Sequence, residues 1–329
     1  MKKILLAAVA ALAIVGCSQN EEIEKAGEKA EINFGTVVKN STRAAVTEND
    51  DLQGSGFIVY AYKTADAITV AETKLGDAFM SGVEVTHSSS WTVTGGPYYW
   101  PFEGKVQFFA YAKDDAVKNF KVATDAKYPT LEYTIADTAP TQIDFVVAKA
   151  TDQSKQTTDV SLAFTHALTQ VNFSAKSENS GMVYNITSVK LANVYNSGTY
   201  NFENSEWTKT DAAVLTTYEY PLADGGVSVT GGATEAVQLD QVGGALMLMP
   251  QSMASTSKIV ITYEVRKDGV LIDKVENFDI SLSTGTEWKA GQKIRYTLAL
   301  TSKGATVGFT TSVGGWGSET DPLNPTPAE

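Results

Sequence analysis

Apolar and polar residues alternate over most of the chain from Ile32 onward. The stretch EINFGTVV (residues 31–38) places every second residue on one face, namely Ile32, Phe34, Thr36 and Val38. The stretches GFIVYAY (56–62) and GKVQFFAYA (104–112) are dense in aromatic and β-branched residues. Because successive side chains of a strand point to opposite faces, this pattern predicts β-strands, many with one buried face.

Turn signals separate these apolar stretches. In KIVITYEVRKDGVLIDKVENFDISL (258–282), the dipeptide Asp268-Gly269 suits the type I′ turn of a β-hairpin. In TGGPYYWPF (94–102), two prolines exclude a central strand. Only DDAVKNF (114–120) is predicted to form a helical turn. Many short strands with turns between them predict an all-β protein built from β-sandwich domains.

The predicted domain boundary lies in the polar stretch KATDQSKQTTD (149–159), which separates two strand-rich halves. We therefore predict an N-terminal β-sandwich domain at residues 32–153 and a C-terminal one at 154–316. The acidic, proline-rich tail at 317–329 is expected to be disordered.

The first 31 residues predict export and attachment. Two lysines precede an unbroken apolar run from Ile4 to Val15, and Gly16 precedes Cys17. This order predicts a signal peptide at residues 1–16, which is too short to span a bilayer as a stable helix. It resembles the lipobox of bacterial lipoproteins, in which the cysteine is acylated, although Ile14 stands where leucine is commoner. A plain signal peptide that ends near a cysteine is the alternative.

Residues 17–31 are polar and charged, which predicts a flexible tether behind the lipidated Cys17. The acidic QNEE within this segment resembles the signal that sends lipoproteins of Bacteroidetes to the outer face of the outer membrane.

Composition narrows the function further. The 329 residues carry a formal net charge of −12, which argues against binding nucleic acid or an anionic membrane surface. Cys17 is the only cysteine, so the folded part must be stable without disulfides. No segment after the signal peptide has eighteen consecutive apolar residues.

Candidate catalytic chemistry is sparse. His166 is in phase with apolar residues in SLAFTHALTQVNF, which predicts a buried structural histidine, and His87 is predicted to lie in an exposed serine-rich loop. The chain lacks the G-x-S-x-G, HExxH, P-loop and GxGxxG motifs. A Ser-His-Asp site stays open, because its members can be distant in sequence. We predict no catalytic residues, no metal ligands and no cofactor.

One aromatic cluster has two interpretations. Its members are Trp91, Tyr98, Tyr99 and Trp100. If they lie exposed on one face, they are candidate stacking surfaces for sugar rings; the favoured alternative is that they close the end of a sandwich core.

Several stretches, in their order, resemble the fimbrillins of Bacteroidetes, which build type V pili. The similar stretches run from about Ile32 to Trp316 and are STRAAV (41–46), YYWPFEGKVQFFAYA (98–112), VSLAFTHALTQVNF (160–173), ALMLMPQ (245–251) and EWKAGQKIRYTLAL (287–300). The resemblance implies two transthyretin-like β-sandwich domains in tandem, export as a lipoprotein and assembly with other fimbrial subunits in support of adhesion. It implies an outer membrane precursor that later becomes part of a fimbrium.

The resemblance also implies a maturation step. In this family an arginine-specific protease cuts between arginine and a small residue, the first strand leaves, and a neighbouring subunit's strand fills the groove. Arg43 followed by Ala44 fits such a site, and residues 32–38 then act as the strand-exchange placeholder.

A donor candidate lies near the C-terminus. The stretch TVGFTTSV (306–313) repeats the alternation of the first strand with Val307, Phe309, Thr311 and Val313. A groove that accepts one strand is expected to accept the other, because alternate side chains fill its pockets. Chance similarity between two edge strands is the alternative.

The place of the subunit in a fibre stays open. The leading hypothesis is a structural subunit polymerised by strand exchange. The donor candidate is short and the tail behind it forms no second alternating strand, so a tip or accessory subunit is the other candidate role. Partners implied are other subunits, the protease, the membrane through the lipid, and a host or bacterial surface glycan or protein. The alternatives are a surface glycan-binding lipoprotein that never polymerises and a surface hydrolase.

A three-residue match points to a modification. DTA (137–139) resembles the O-glycosylation motif of Bacteroidetes, which implies a glycan on Thr138.

Overall fold

The computed structural model describes residues 30–38, 49–156, 158–210, 213–240, 244–282 and 287–312. Strands dominate these residues, which confirms the all-β prediction. The described part has one α-helix, α1 (Asn49–Ser55), and one short 3-10 helix (Ala139–Thr141). Residues 114–120, predicted to form a helical turn, instead lead into a strand that begins at Val117, so that prediction is wrong.

The strands are numbered in chain order. The first nine are β1 (Phe34–Val38), β2 (Phe57–Thr64), β3 (Ala78–His87), β4 (Trp91–Val93), β5 (Lys105–Ala112), β6 (Val117–Lys121), β7 (Thr130–Thr134), β8 (Val146–Gln153) and β9 (Val160–His166). The remaining ones are β10 (Thr169–Lys176), β11 (Met182–Tyr195), β12 (Ser197–Asn201), β13 (Glu206–Lys209), β14 (Leu215–Glu219), β15 (Val227–Thr230), β16 (Val237–Gln238), β17 (Leu246–Leu248), β18 (Lys258–Lys267), β19 (Val270–Ser281), β20 (Lys293–Thr301) and β21 (Gly304–Ser312).

A seven-stranded sheet contains most of the first nine strands, in the order β1-β9-β8-β5-β2-β3-β4. All its neighbours are antiparallel except β1, which runs parallel to β9. Alternate residues of β2 and β5 point into a core that includes Phe57 and Phe108, and Leu52 of α1 is fully buried in the same core. The middle of this sheet is covered on both faces, because Val106 and Phe108 of β5 belong to this core whereas Phe109 and Tyr111 belong to a second one. The period of two therefore separates two buried faces in β5, not a buried face from an exposed one.

Two further sheets form a β-sandwich from the later strands. Their orders are β16-β10-β20-β21, with β17 also beside β10, and β14-β11-β18-β19, with β15 also beside β11. Alternating residues of β20 and β18, such as Tyr296 and Tyr263, meet in one large core. The predicted hairpin around Asp268-Gly269 is present as β18–β19, and both residues have positive φ, as a type I′ turn requires.

A fourth sheet joins the two halves of the chain. Its order is β13-β12-β7-β6, so strands from residues 117–134 pair with strands from residues 197–209. Beside it, the Lys149 ammonium donates to the carbonyl oxygens of Phe202 and Glu203. Burial lowers the pKa of Lys149, and these two carbonyl groups solvate its charge.

The predicted boundary between residues 153 and 154 falls between β8 and β9, which are hydrogen-bonded neighbours in the seven-stranded sheet. These pairings favour a boundary after His166. The fourth sheet takes strands from both halves of the chain and so does not divide cleanly between two domains. The tandem arrangement of two transthyretin-like domains therefore stays a prediction.

Candidate functional site

The first strand lies between two partners that are distant in sequence. From Phe34 to Val38 it pairs with Val160 to Phe164 in a parallel ladder, and Val160 N–H donates to the Asn33 carbonyl at 2.8 Å. On its other side, Ile32 N–H donates to the Tyr98 carbonyl at 2.8 Å and Trp100 N–H to the Ala30 carbonyl at 3.0 Å. We call residues 30–38 the first-strand segment. It completes the backbone hydrogen bonding of β9 and of residues 98–100 together.

The side chains of this segment fill a pocket in the core that contains Phe57 and Phe108, which we call the first core. Ile32 and Phe34 are both 2% exposed. The Phe34 ring meets Phe57 and Phe108 edge to face, with centroids 5.8 and 5.6 Å away. Thr36 and Val38 are half-buried, whereas the intervening Val37 is 57% exposed. The alternation read from the sequence thus corresponds to inward and outward positions.

The residues implied in processing lie outside the described part of the chain. These are Cys17, Arg43 and Ala44. The predicted signal peptide at 1–16 and the tail at 317–329, for which disorder is predicted, also lie outside it. Lipidation of Cys17 and cleavage after Arg43 therefore stay predictions.

The donor candidate is paired within its own sheet. β21 forms an antiparallel ladder with β20 from Gly304 to Ser312, at the edge of that sheet. Within this ladder Val307, Phe309 and Thr311 are the register partners of Leu298, Tyr296 and Ile294. Val313 lies beyond the described residues. A strand in this position must separate from β20 before it can enter another subunit.

Two contacts hold the start of β21. The Tyr263 hydroxyl donates to the carbonyl oxygens of Thr301 and Gly304, each at 2.6 Å, and so closes the turn between β20 and β21. Gly304 has φ +149°, and a Cβ there would lie 2.5 Å from the Phe278 ring. Only glycine therefore lets this ring pack against the turn.

Alkaline pH is expected to weaken this anchor. Burial raises the pKa of Tyr263 to about 12. The unfolded chain releases that proton near pH 10, so the stability contributed by neutral Tyr263 is complete below pH 10 and is lost as the pH rises towards 12. We expect Tyr263→Phe to lower the free energy of unfolding by about 1 kcal/mol at pH 8, and the difference from the parent to shrink above pH 10. Urea titrations at pH 8 and above pH 10 measure the difference in the free energy of unfolding between the variant and the parent. A difference that does not change with pH would contradict the role assigned to the Tyr263 hydroxyl.

The four candidate ligand aromatics differ in how far their side chains are buried. Trp100 is 7% exposed and its ring packs edge to face on Phe108, so it presents no face to a ligand. Trp91 is half-buried against Phe57, Tyr98 is half-buried, and Tyr99 is 38% exposed. The favoured interpretation, closure of the core, describes Trp100, and Trp91 and Tyr98 also pack against the same core. Ligand binding by Trp91, Tyr98 and Tyr99 stays a prediction.

The sequence interpretation missed Phe102, which is 91% exposed immediately after this cluster. Phe102 lies between a proline and a glutamate, which indicates a loop. Outside a strand there is no alternation from which to predict whether a side chain is buried or exposed.

The two histidines lie apart. His166 is buried, and its Nδ1 lies 2.7 Å from the Asp144 carboxylate, which is also buried. The sequence predicted the buried histidine but not its partner, which precedes β8. His87 ends β3 with its ring 4.9 Å from that of Trp91, so the prediction of an exposed loop position is wrong.

Thr138 is exposed directly before the 3-10 helix, and its hydroxyl lies 2.9 Å from that of Thr141. Its glycosylation stays a prediction. Across the described residues, no group of three histidine, cysteine, aspartate or glutamate side chains is placed to hold a metal ion. No helix in the described ranges is long and apolar enough to cross a membrane.

Comparison with known proteins identifies related chains. The family model described as fimbrillin-like matches residues 42–316. The fimbrium subunit Fim1C of Phocaeicola vulgatus is 28% identical, with 97% of each chain covered. The crystal structure of a fimbrial protein from Bacteroides vulgatus is similar in fold, with a TM-score of 0.67, 23% identity, and coverage of 86% of this chain and 99% of that one.

Proposed function

We propose that this chain, which belongs to the fimbrillin-like family, is a subunit of a surface fimbria and accepts a strand from a neighbouring subunit. The observation that carries the proposal is the first-strand segment. It is held on both sides by backbone hydrogen bonds and fills a pocket of the first core with Ile32 and Phe34. We propose that an equivalent strand of a neighbouring subunit can replace this segment, because its contacts are a backbone ladder and apolar pockets that another strand can supply.

Removal of the segment would leave two incomplete edges. The β9 edge would lose its parallel partner, and the Tyr98 carbonyl and Trp100 N–H would lose theirs. Because unpaired buried backbone groups are costly, the emptied groove favours binding of another strand. That strand must run parallel to β9 and present a large apolar side chain at the position of Phe34.

The proposed processing site lies close behind the segment. Arg43 follows the end of β1 by five residues, and Ala44 comes next. The other two arginines, Arg266 and Arg295, lie within β18 and β20. Backbone in a sheet is protected from proteases, which favours cleavage at Arg43 alone. We propose that the lipid on Cys17 anchors the precursor to the outer membrane until this cut.

The pairing of β21 supports a terminal or accessory place in the fibre. Its ladder with β20 and the Tyr263 anchor complete the chain's own second sandwich. A subunit that accepts a strand from a neighbour but keeps β21 in its own sheet donates no strand, so it would stand at one end of the fibre. Donation of β21 is the alternative, and it requires this hairpin to open.

Limited proteolysis tests the proposal. We expect an arginine-specific protease to convert the purified precursor into one product that begins at Ala44, as read by mass spectrometry. The product should then bind a peptide of sequence TVGFTTSV in native mass spectrometry, whereas the uncleaved precursor should not. The Arg43→Ala variant is the control and should remain intact and bind no peptide.

Electron microscopy separates the two places in the fibre. Filaments formed by the cleaved chain alone would show that β21 is donated, whereas a monomer that binds the peptide supports a terminal subunit. A cleaved chain that keeps residues 30–38 in place and binds no peptide contradicts strand exchange.

A further inference from the structure

A cleft lies on the surface around Trp207, away from the first-strand groove. It consists of two neighbouring cavities of about 550 and 300 Å³. Both are lined by Trp207, Pro250, Gln251 and Ser252, and the half-buried Trp207 side chain is therefore part of both walls. We call the two cavities together the Trp207 cleft. Their size lies within the range of small-molecule binding sites.

The indole of Trp207 is held in one orientation. Its Nε1–H donates to the Ala167 carbonyl at 2.6 Å, and its ring meets Tyr200 edge to face at 5.2 Å. Gly198 lies beneath it, and a Cβ there would come within 3.1 Å of the indole. An aromatic wall fixed in this way loses little conformational entropy when a ligand packs against it.

The wall opposite is also rigid. The Gln251 side-chain carbonyl accepts from Tyr195 N–H, and its amide donates to the carbonyl oxygens of Tyr195 and Met249. Trp288 N–H donates to the Gln251 backbone carbonyl at 2.9 Å. The cleft is therefore formed by backbone that is already hydrogen-bonded, and its shape does not depend on a ligand.

Charged side chains of both signs surround the indole. Glu206, Glu287 and Lys289 line the larger cavity, and Lys209 lines the smaller one. All four are exposed, and the Lys289 ammonium lies 3.7 Å from the Glu287 carboxylate. The Glu206 carboxylate accepts from the Asn204 side-chain amide at 2.9 Å, and the Lys209 ammonium lies 4.9 Å from the centroid of the Tyr195 ring. Two carboxylates and two ammonium groups balance formally, which favours a neutral ligand over an anion or a cation.

We infer that the Trp207 cleft binds a neutral oligosaccharide. A sugar ring has an apolar C–H face that can pack on the indole and hydroxyl groups that donate to carboxylates and accept from ammonium groups. A lipid chain would desolvate four charged side chains without offering them hydrogen bonds, and a charged peptide or sialylated glycan meets as many like charges as opposite ones. The site is independent of strand exchange.

Binding to immobilised oligosaccharides tests the inference. The probes are neutral oligosaccharides of hexoses, fucose and N-acetylhexosamines, sialylated oligosaccharides, and a lysine-rich peptide. With the full-length, uncleaved chain we expect binding to the neutral oligosaccharides and to neither of the other two probes. Glu206→Gln with Glu287→Gln, and separately Trp207→Phe, should weaken that binding about tenfold, as expected for loss of a charged acceptor or of stacking area.

The control variant is Phe102→Ala, which removes an exposed aromatic side chain outside the cleft and should leave binding unchanged. Circular dichroism checks that each variant is folded; the two exposed glutamates give a variant that does not disturb the core. The inference is overturned if no neutral oligosaccharide binds, if the sialylated or peptide probe binds instead, or if the cleft variants bind as the parent does.

Discussion

Phe34→Ala should lower the free energy of unfolding of the uncleaved chain by about 3–5 kcal/mol, the usual cost of removing a buried phenylalanine ring. The ring is 2% exposed and contacts two phenylalanines of the first core. The variant should also release the first-strand segment locally, so that the TVGFTTSV peptide binds without proteolysis. Urea unfolding and hydrogen exchange at residues 160–164 measure the two effects.

Val37→Ala is the matched control, because Val37 belongs to the same strand and is 57% exposed. It should change the free energy of unfolding by less than about 0.5 kcal/mol. Equal effects of the two substitutions would show that the alternation of this segment does not determine how it is held.

Asp144→Ala should destabilise the chain by about 3 kcal/mol or more, because it leaves the buried His166 without its carboxylate partner. The pair joins the end of β9 to the residues before β8, and Ala167 N–H donates to the Phe145 carbonyl beside it. Loss of the pair should therefore loosen β9, the strand to which β1 is paired. Chemical denaturation measures the first effect and hydrogen exchange in β9 the second.

An exposed pair of similar length provides the control. Lys74 and Asp125 lie 2.8 Å apart with 49% and 67% of their side chains exposed. Lys74→Ala should cost less than about 1 kcal/mol; Lys74 is the partner to change because Asp125 has φ +64°, where alanine would add backbone strain. A comparable loss in both variants would mean that burial is not what makes the Asp144–His166 pair important.

Local patterns in the sequence predicted local features. The alternation in residues 31–38 identified which side chains of β1 point inward, and Asp268-Gly269 located a hairpin. The short helix α1 was missed because its seven residues, NDDLQGS, contain one buried apolar side chain, too few to show a helical period. Residues 117–121 formed a strand instead of a helical turn because pairing with β7 decides their conformation.

The sequence pattern did not predict which distant segments pair with one another. The parallel ladder of β1 with β9 joins segments that are far apart along the chain, and alternation does not say which strands meet. The Trp207 cleft was missed for the same reason, since its walls come from residues near 206, 251 and 288. Trp100 and Tyr99 are adjacent in the sequence, yet one is 7% and the other 38% exposed, and they lie outside the strands, where alternation gives no guide to burial.

The sheet shared by the two halves has a mechanical meaning for a fibre. If a neighbouring subunit's strand occupies the first-strand groove, as proposed, force applied there must cross to the second sandwich. The ladder of β7 with β12 connects the two halves through residues 130–134 and 197–201. Hydrogen bonds in such a ladder, together with the Lys149 contacts, resist hinging between the halves. Each subunit then behaves as one stiff link, and the compliance of the fibre resides in the joints between subunits.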